Sequence, residues 1–253
     1  MRGTTLQCKE AKTLGVVVNG GAFYGGAFSY GFLSCFGKNN IEISQYVGVS
    51  SGFFASMLNI AGLHERGFLG DLNSPLYSDM HNFNVFRRFL DFYTLKAINE
   101  SKLDKQELLT EVNNKMSAVA TRTRFKKGFP YLHHDLLSGF SDWEDFNQAQ
   151  LASGSIPWFA WPWPHKYRGF RYYDGILGLK RPERFLSTDI KMVIQPHLTS
   201  PVQVGSCYNI VSGEVAGLNK LVNSTAEEID ANWLRGYAEA EKFLDKERGN
   251  LGL

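Results

Sequence analysis

Long apolar runs are absent from this chain. No stretch of about 18 or more consecutive apolar residues occurs, so no membrane-spanning helix is expected. The first residues, Met1 to Lys12, are polar and lack the apolar core of a signal peptide, which points to a cytoplasmic location. Cysteine is scarce. Cys8, Cys35 and Cys207 lie far apart with no C-x-x-C pair, which excludes a disulfide framework and suits free thiols in a reducing compartment. No His/Cys spacing resembles a metal site. An excess of one charge is missing too: 27 Lys+Arg against 25 Asp+Glu leave +2, which gives no argument for nucleic acid as a partner. There are no internal repeats, low-complexity segments or clear linkers, so residues 1–253 read as one domain with its core at about 13–245.

What is present is an ordinary globular composition, 43% hydrophobic and 21% charged, with aromatics on the high side at 14%. The chain centres on Tyr46-Val47-Gly48-Val49-Ser50-Ser51-Gly52-Phe53. Short apolar residues run into G-x-S-x-G, and a helix-like segment, Phe53 to Ile60, follows. This is the pattern of a nucleophile elbow, in which strand, sharp turn and helix succeed one another within a few residues. Gly48 and Gly52 let the turn close, and Ser50 sits at its apex. The amides opening the helix direct positive partial charge at the hydroxyl. In a glycine-rich chain the motif alone can also arise by chance, just as the upstream glycine stretch taken alone can be a plain tight turn.

Upstream, Thr13 to Val18 (T-L-G-V-V-V) reads as a strand buried on both faces, as in a parallel sheet. Asn19 to Gly26 (N-G-G-A-F-Y-G-G) is a glycine loop, and Ala27 to Phe36 can form a helix with an apolar face. The loop fails the dinucleotide fingerprint and the P-loop spacing. Its remaining functional use is an oxyanion hole built from backbone N–H groups at a helix start. Ile41 to Gly48 reads as the second strand. Only about 25 residues separate loop and serine, which argues against an α/β-hydrolase and fits one strand–loop–helix–strand crossover.

Further along, Phe83, Phe86, Phe89, Leu90 and Phe92 have helical spacing and read as a core or cap helix, with a lipid-facing helix as the alternative. Ser101-x-x-Asp104 and Ser141-x-x-Glu144 each resemble capping boxes that open helices. Ser117 to Phe125 alternates as a strand turning at Gly128, with Lys126-Lys127 a solvated turn. Trp158 to Pro164 (W-F-A-W-P-W-P) is a proline-broken loop, read either as buried packing or as a pocket wall or lipid-contacting wedge. Phe170 to Gly175 is a strand ending in Asp-Gly, and Lys191 to Gln195 is another. Thr225-x-x-Glu228 opens a last helix whose apolar face holds Ile229, Trp233, Tyr237, Ala240 and Leu244.

Together these residues resemble the patatin-like phospholipase domain over about Leu14 to Leu244. The family has a glycine-rich loop after the first strand, G-x-S-x-G after the second and a late D-G-[GA]. Here Gly20 to Gly26, Gly48 to Gly52 and Asp174-Gly175-Ile176 look like these elements. Tyr30 to Phe36, Ala152 to Pro157 and Gly236 to Leu244 are similar to segments of the adipose triglyceride lipase-like branch. The resemblance implies a three-layer α/β/α sandwich with a largely parallel central sheet, and hydrolysis of acyl-lipid esters by a Ser-Asp dyad. Ser50 would be the nucleophile and Asp174 the base, with Gly175 and Ile176 completing the aspartate motif. The oxyanion hole would come from Gly20, Gly21, Ala22, Gly25 and Gly26. It implies no cofactor, an acyl lipid substrate, and transient contact with membranes or lipid droplets. Two departures stand out: G-G-A-F-Y-G-G lacks the family's basic residue, and D-G-I replaces D-G-G or D-G-A. Three alternatives stay open. One is a Ser50…Asp174…His197 triad in hydrolase chain order. Another is a lipid-binding or scaffold protein without catalysis. The third is a transacylase using the same dyad.

Overall fold

The computed structural model describes residues 12–69, 83–157, 163–198, 207–214 and 224–251. Cys8 and most of Trp158 to Pro164 lie outside them, as do the side chains of Phe83 and Phe86. The elements relevant to function begin with β1 (Leu14–Val18), α1 (Ala22–Lys38), β2 (Gln45–Val49) and α2 (Ser51–Ile60). Next come α3 (Phe83–Glu100), α4 (Lys105–Lys115), β3 (Met116–Lys126), β4 (Phe129–Leu137) and α5 (Trp143–Ser153). The chain continues with β5 (His165–Tyr167), β6 (Phe170–Asp174), β7 (Ile190–Gln195), β8 (Tyr208–Val211) and α6 (Ala226–Leu251).

These form a mixed α/β fold around an eight-stranded sheet ordered β5-β6-β3-β2-β1-β7-β8, with β4 paired to β3 off this path. From β3 to β8 the neighbours are parallel; β4 and β6 run antiparallel to β3. The valine-rich strands explain the buried centre, since a strand covered on both faces needs apolar residues at every position. Alternation divides them. Val16, Val18, Tyr46, Ala118, Ala120 and Ile194 face the large core shared with the α-helices. Val17, Val47, Val49, Val119 and Val193 face a smaller core closed by Ile176, Leu179, Phe185 and Leu186. A 3-10 turn at Pro182–Phe185 lies on this second side. Among the described residues no helix is long and apolar enough to cross a membrane.

Helix α6 packs against α1 with backbones nearly touching. A Cβ on Gly31 would come 2.0 Å from Trp233 O, and one on Gly236 2.0 Å from Phe28 O. The helix starts differ from the sequence reading in informative ways. Helix α1 begins at Ala22, so Gly25 and Gly26 are helical and the loop shrinks to Asn19–Gly21. Strand β2 begins at Gln45 rather than Ile41. Helix α4 is capped by Asp104 with Glu107 as its reciprocal partner, and Asp142 caps α5 through Asp145 N–H. In each case a carboxylate, the stronger acceptor for an orphan N–H, takes the capping position. At α6 the expected Thr225–Glu228 box forms in both directions.

Candidate active site

The register of β3 brings the two ends of the site together. Strand β3 pairs with β4 along Ala118–Lys126, which occupies one of its edges. Its other edge is shared: β2 pairs through Val49↔Val119, and β6 pairs through Asp174↔Ala120. Strands β2 and β6 therefore meet head-on, carboxyl end to carboxyl end, on consecutive residues of β3. Ser50 is the first residue past β2, and Asp174 is the last residue of β6. Residues 124 positions apart in sequence numbering (174 minus 50) are thus neighbours by topology.

Ser50 sits between β2 and α2 with φ 53 and ψ −129, a positive φ that a serine rarely adopts. Such a conformation costs on the order of 1–3 kcal/mol and persists only where its surroundings enforce it. They do so here. A Cβ on Gly48 would lie 2.2 Å from Phe53 Cα, and one on Gly52 2.0 Å from Val18 O, so the elbow is packed from both sides. Ser50 N–H donates to Ser153 Oγ at 2.9 Å, and Ser153 Oγ–H donates to Val119 O at 2.6 Å.

Asp174 is fully buried. Its N–H donates to Ser155 O at 2.9 Å, and Gly175 N–H donates to Ser153 O at 3.1 Å. Segment Ser153-Gly154-Ser155 thus ties both halves of the site to one short turn. The Ile176 amide donates to Asp174 Oδ1 at 2.8 Å, while Oδ2 is buried without a hydrogen-bond partner. Burial pushes the carboxyl up to about 6; the Ile176 amide and the nearby Ser50 hydroxyl pull it partly back. The hydroxyl is close enough to stabilise the carboxylate, yet no hydrogen bond of normal geometry joins it to Oδ2. Apo sites often show this looseness before substrate tightens them.

The glycine loop approaches from the side. A Cβ on Gly20 would fall 2.5 Å from Ser50 Cβ and 2.9 Å from Val49 O, so no other residue fits beside this serine unshifted. Gly21 N–H donates to Ser51 Oγ at 3.3 Å. Ala22, with φ 47, opens α1 and lines the same pocket as Ser50 and Ser51. Gly25 is further off: its amide is spent on Gly21 O at 2.7 Å, and it packs on Pro196. Gly26 packs on Ser51 from inside α1. His197 Nδ1 lies 3.3 Å from Gly20 O, and burial pushes its pKa down. Among the described residues it makes no hydrogen bond to Ser50 or Asp174.

Ser50 opens onto a narrow apolar pocket of about 70 Å³. Ala27, Phe54, Ala55 and Leu58 line it from α1 and α2, and Phe89 and Leu90 from α3. Helix α3 therefore supplies wall as well as core, with Phe92 exposed on its outer side. Reading the sequence had not given Ser153, Ser155, Phe89 or Leu90 a place in the site. For the serines the only signal was the Ala152–Pro157 segment itself.

No family model matches the chain, and no curated protein matches it. Among solved structures, the crystal structure of VipD from Legionella pneumophila is similar over 93% of this chain and 67% of its own, with TM-score 0.47 and 15% identity. That likeness is too distant to carry function across.

Proposed function

We propose that the chain is a lipid acyl hydrolase of the patatin type, using Ser50 and Asp174. The observation that carries this reading is the head-on meeting of β2 and β6 at the mouth of an apolar pocket. Ser50 Oγ attacks an ester carbonyl as its proton passes to Asp174, forming the Oγ–acyl bond. The carbon–oxygen bond to the leaving alcohol then breaks, and Asp174 returns the proton to that alcohol. Water next attacks the acyl-enzyme as its proton passes to Asp174; the acyl–Oγ bond breaks, and Asp174 returns the proton to Ser50 Oγ as the fatty acid leaves. A carboxyl tuned to about 6 by burial is a better base than an exposed one and is still ionised at neutral pH. The amides at Ala22 and Ser51 are the ones we assign to the oxyanion, joined by that of Gly21 when it leaves Ser51 Oγ. Removing such a donor typically costs about 10²–10³ in rate. The pocket takes the acyl chain. The adipose triglyceride lipase-like branch rests on the quoted segments alone.

A fluorophosphonate probe tests this. Labelling of wild type and its loss in Ser50→Ala are expected, with fatty acid as the product released from mixed labelled lipids. No labelling of either protein supports the lipid-binding alternative. Transfer of the acyl group to a second lipid in place of water identifies a transacylase.

A further inference from the structure

The tip of the β3–β4 hairpin has no part in the site, yet it reaches well past it. Strand β3 runs parallel to β2 but does not stop where β2 stops: Val49 pairs with Val119, and β3 continues to Lys126. At about 3.3 Å per residue, the steps from Ala120 to Lys126 carry the hairpin roughly 20 Å beyond the strand ends that bear Ser50 and Asp174. Its two-residue turn, Lys127-Gly128, has positive φ at both positions, 50 and 83, as a tight hairpin requires. The overhang extends from the carboxyl-end edge of the parallel strands, the end of the sheet at which Ser50 stands.

The tip has an unusual composition for a solvated turn. Phe125 is 73% exposed and Phe129 77%, the largest values among the exposed large hydrophobics of the described residues. Register places Phe125 opposite Pro130 and Phe129 opposite Lys126, so each face of the tip carries one ring. Leu132 continues the Phe125 face and Tyr131 the Phe129 face, both exposed. Phe170, 51% exposed, lies against the Arg122 guanidinium lower on the hairpin. The charges separate in the same way. Asp135 neutralises Arg122 and Arg124 near the base, whereas Lys126 and Lys127 at the apex have no acidic partner among the described residues. The tip thus presents two rings flanked by two free ammonium groups on a projecting turn. They match an interface where rings enter the acyl boundary and lysines stay at the level of phosphates.

We propose that the Phe125–Phe129 tip docks the protein on anionic phospholipid bilayers, holding the mouth of the pocket toward the lipid. The membrane's use as a source of substrate rests on the hydrolase reading above; the docking itself does not. Each lysine near an anionic surface contributes about fivefold in binding at moderate salt, a contribution that falls as salt rises.

Co-sedimentation with phosphatidylcholine–phosphatidylserine vesicles, against pure phosphatidylcholine vesicles, tests this on the full chain. Wild type and Ser50→Ala are expected to bind the mixed vesicles and to bind the neutral ones weakly. Phe125→Ser/Phe129→Ser should lose at least about tenfold in partitioning. Lys126→Gln/Lys127→Gln should lose on the order of 10- to 30-fold on mixed vesicles only. Both variants change exposed residues, and thermal unfolding checks that they fold. A second measurement uses Phe129→Trp, whose added fluorescence should be quenched by brominated lipid in mixed vesicles. Hydrolysis of a soluble short-chain ester should be the same in wild type and both tip variants. Absence of that activity in all three, with binding intact, would overturn the hydrolase reading and leave docking standing. Undiminished vesicle binding by the phenylalanine variant, equal binding to neutral vesicles, or no quenching would overturn the docking proposal. So would capture of the tip by a protein partner without any vesicle binding.

Discussion

The backbone amide of Ser50 and the hydroxyl of Ser153 are joined at 2.9 Å, and that same hydroxyl donates to Val119 O. One buried side chain therefore satisfies a donor on the elbow and an acceptor on β3. Ser153→Ala leaves both unpaired in a buried place, which costs about 1–3 kcal/mol per group left unsatisfied. The expected result is a clear fall in thermal stability together with a ten- to hundredfold loss in kcat, about the penalty for misplacing a reacting group. KM should change little, because Ser153 does not line the pocket. Unchanged kcat with lowered stability would reduce Ser153 to a merely structural residue.

Asp174 makes the site sensitive to pH. Its carboxyl titrates near 3.8 in an unperturbed setting and at about 6 when buried in the fold. The native state therefore holds this proton more tightly than the unfolded chain. The resulting stability is fully present below the lower value and is lost as pH rises through the upper one. The difference corresponds to roughly 3 kcal/mol at most, at about 1.4 kcal/mol per pH unit. Asp174→Asn should thus unfold at a higher temperature than wild type in mildly alkaline buffer, and the gap should close on acidification. Activity should run the other way, with an acid limb centred near 6 as the base loses its ionised form. Activity independent of pH across that limb would show that a different group accepts the proton.

Much of the local structure around Ser50 and Asp174 is legible in the sequence, and the reasons are local. A valine run ending in glycines, G-x-S-x-G before an apolar helix, and a strand ending in Asp-Gly are each set by short-range sterics. They reappear as β1, the Ser50 elbow and β6. What was not readable depends on pairing. Strand β4 (F-P-Y-L-H-H-D-L-L) has no clean alternation, because much of it is exposed on the overhanging hairpin and it is defined by its register with β3. Strand β8 has four residues, too few to show a period. The glycines were legible as a group but not in their duties. Gly20 accommodates Ser50, whereas Gly25 and Gly26 serve the packing of α1, a division that only the helix start at Ala22 settles. Residues Trp158 to Trp161 lie outside the described residues, while Trp163 is exposed.

His197 offers a direct comparison of two mechanisms. Its ring contacts the Gly20 carbonyl, one residue layer behind Ser50, and burial keeps it neutral. His197→Ala removes one hydrogen bond worth about 1 kcal/mol and disturbs Gly20 slightly. Steady-state assays should find activity within about tenfold of wild type, far above that of Ser50→Ala. A collapse to the Ser50→Ala level would make histidine the base and end the dyad reading.

Chain-length preference tests the pocket. Ala55 is buried on α2 and lines the cavity together with Leu58 and Phe89. A leucine there projects into space that the proposal gives to the acyl chain. Overpacking of a filled core would cost about 1–3 kcal/mol, whereas a side chain entering an open cavity avoids most of that strain. Ala55→Leu should therefore keep its unfolding temperature while losing at least about tenfold in kcat/KM on long-chain esters, since blocking methylene sites removes about 0.8 kcal/mol of burial each. Acetyl esters, which do not reach Ala55, should react as in wild type. If long and short esters lose activity equally, the side chain acts through the elbow helix and the pocket is not the acyl site. If neither changes while the fold is intact, the acyl chain lies elsewhere, and exposed Trp163 becomes the place to look.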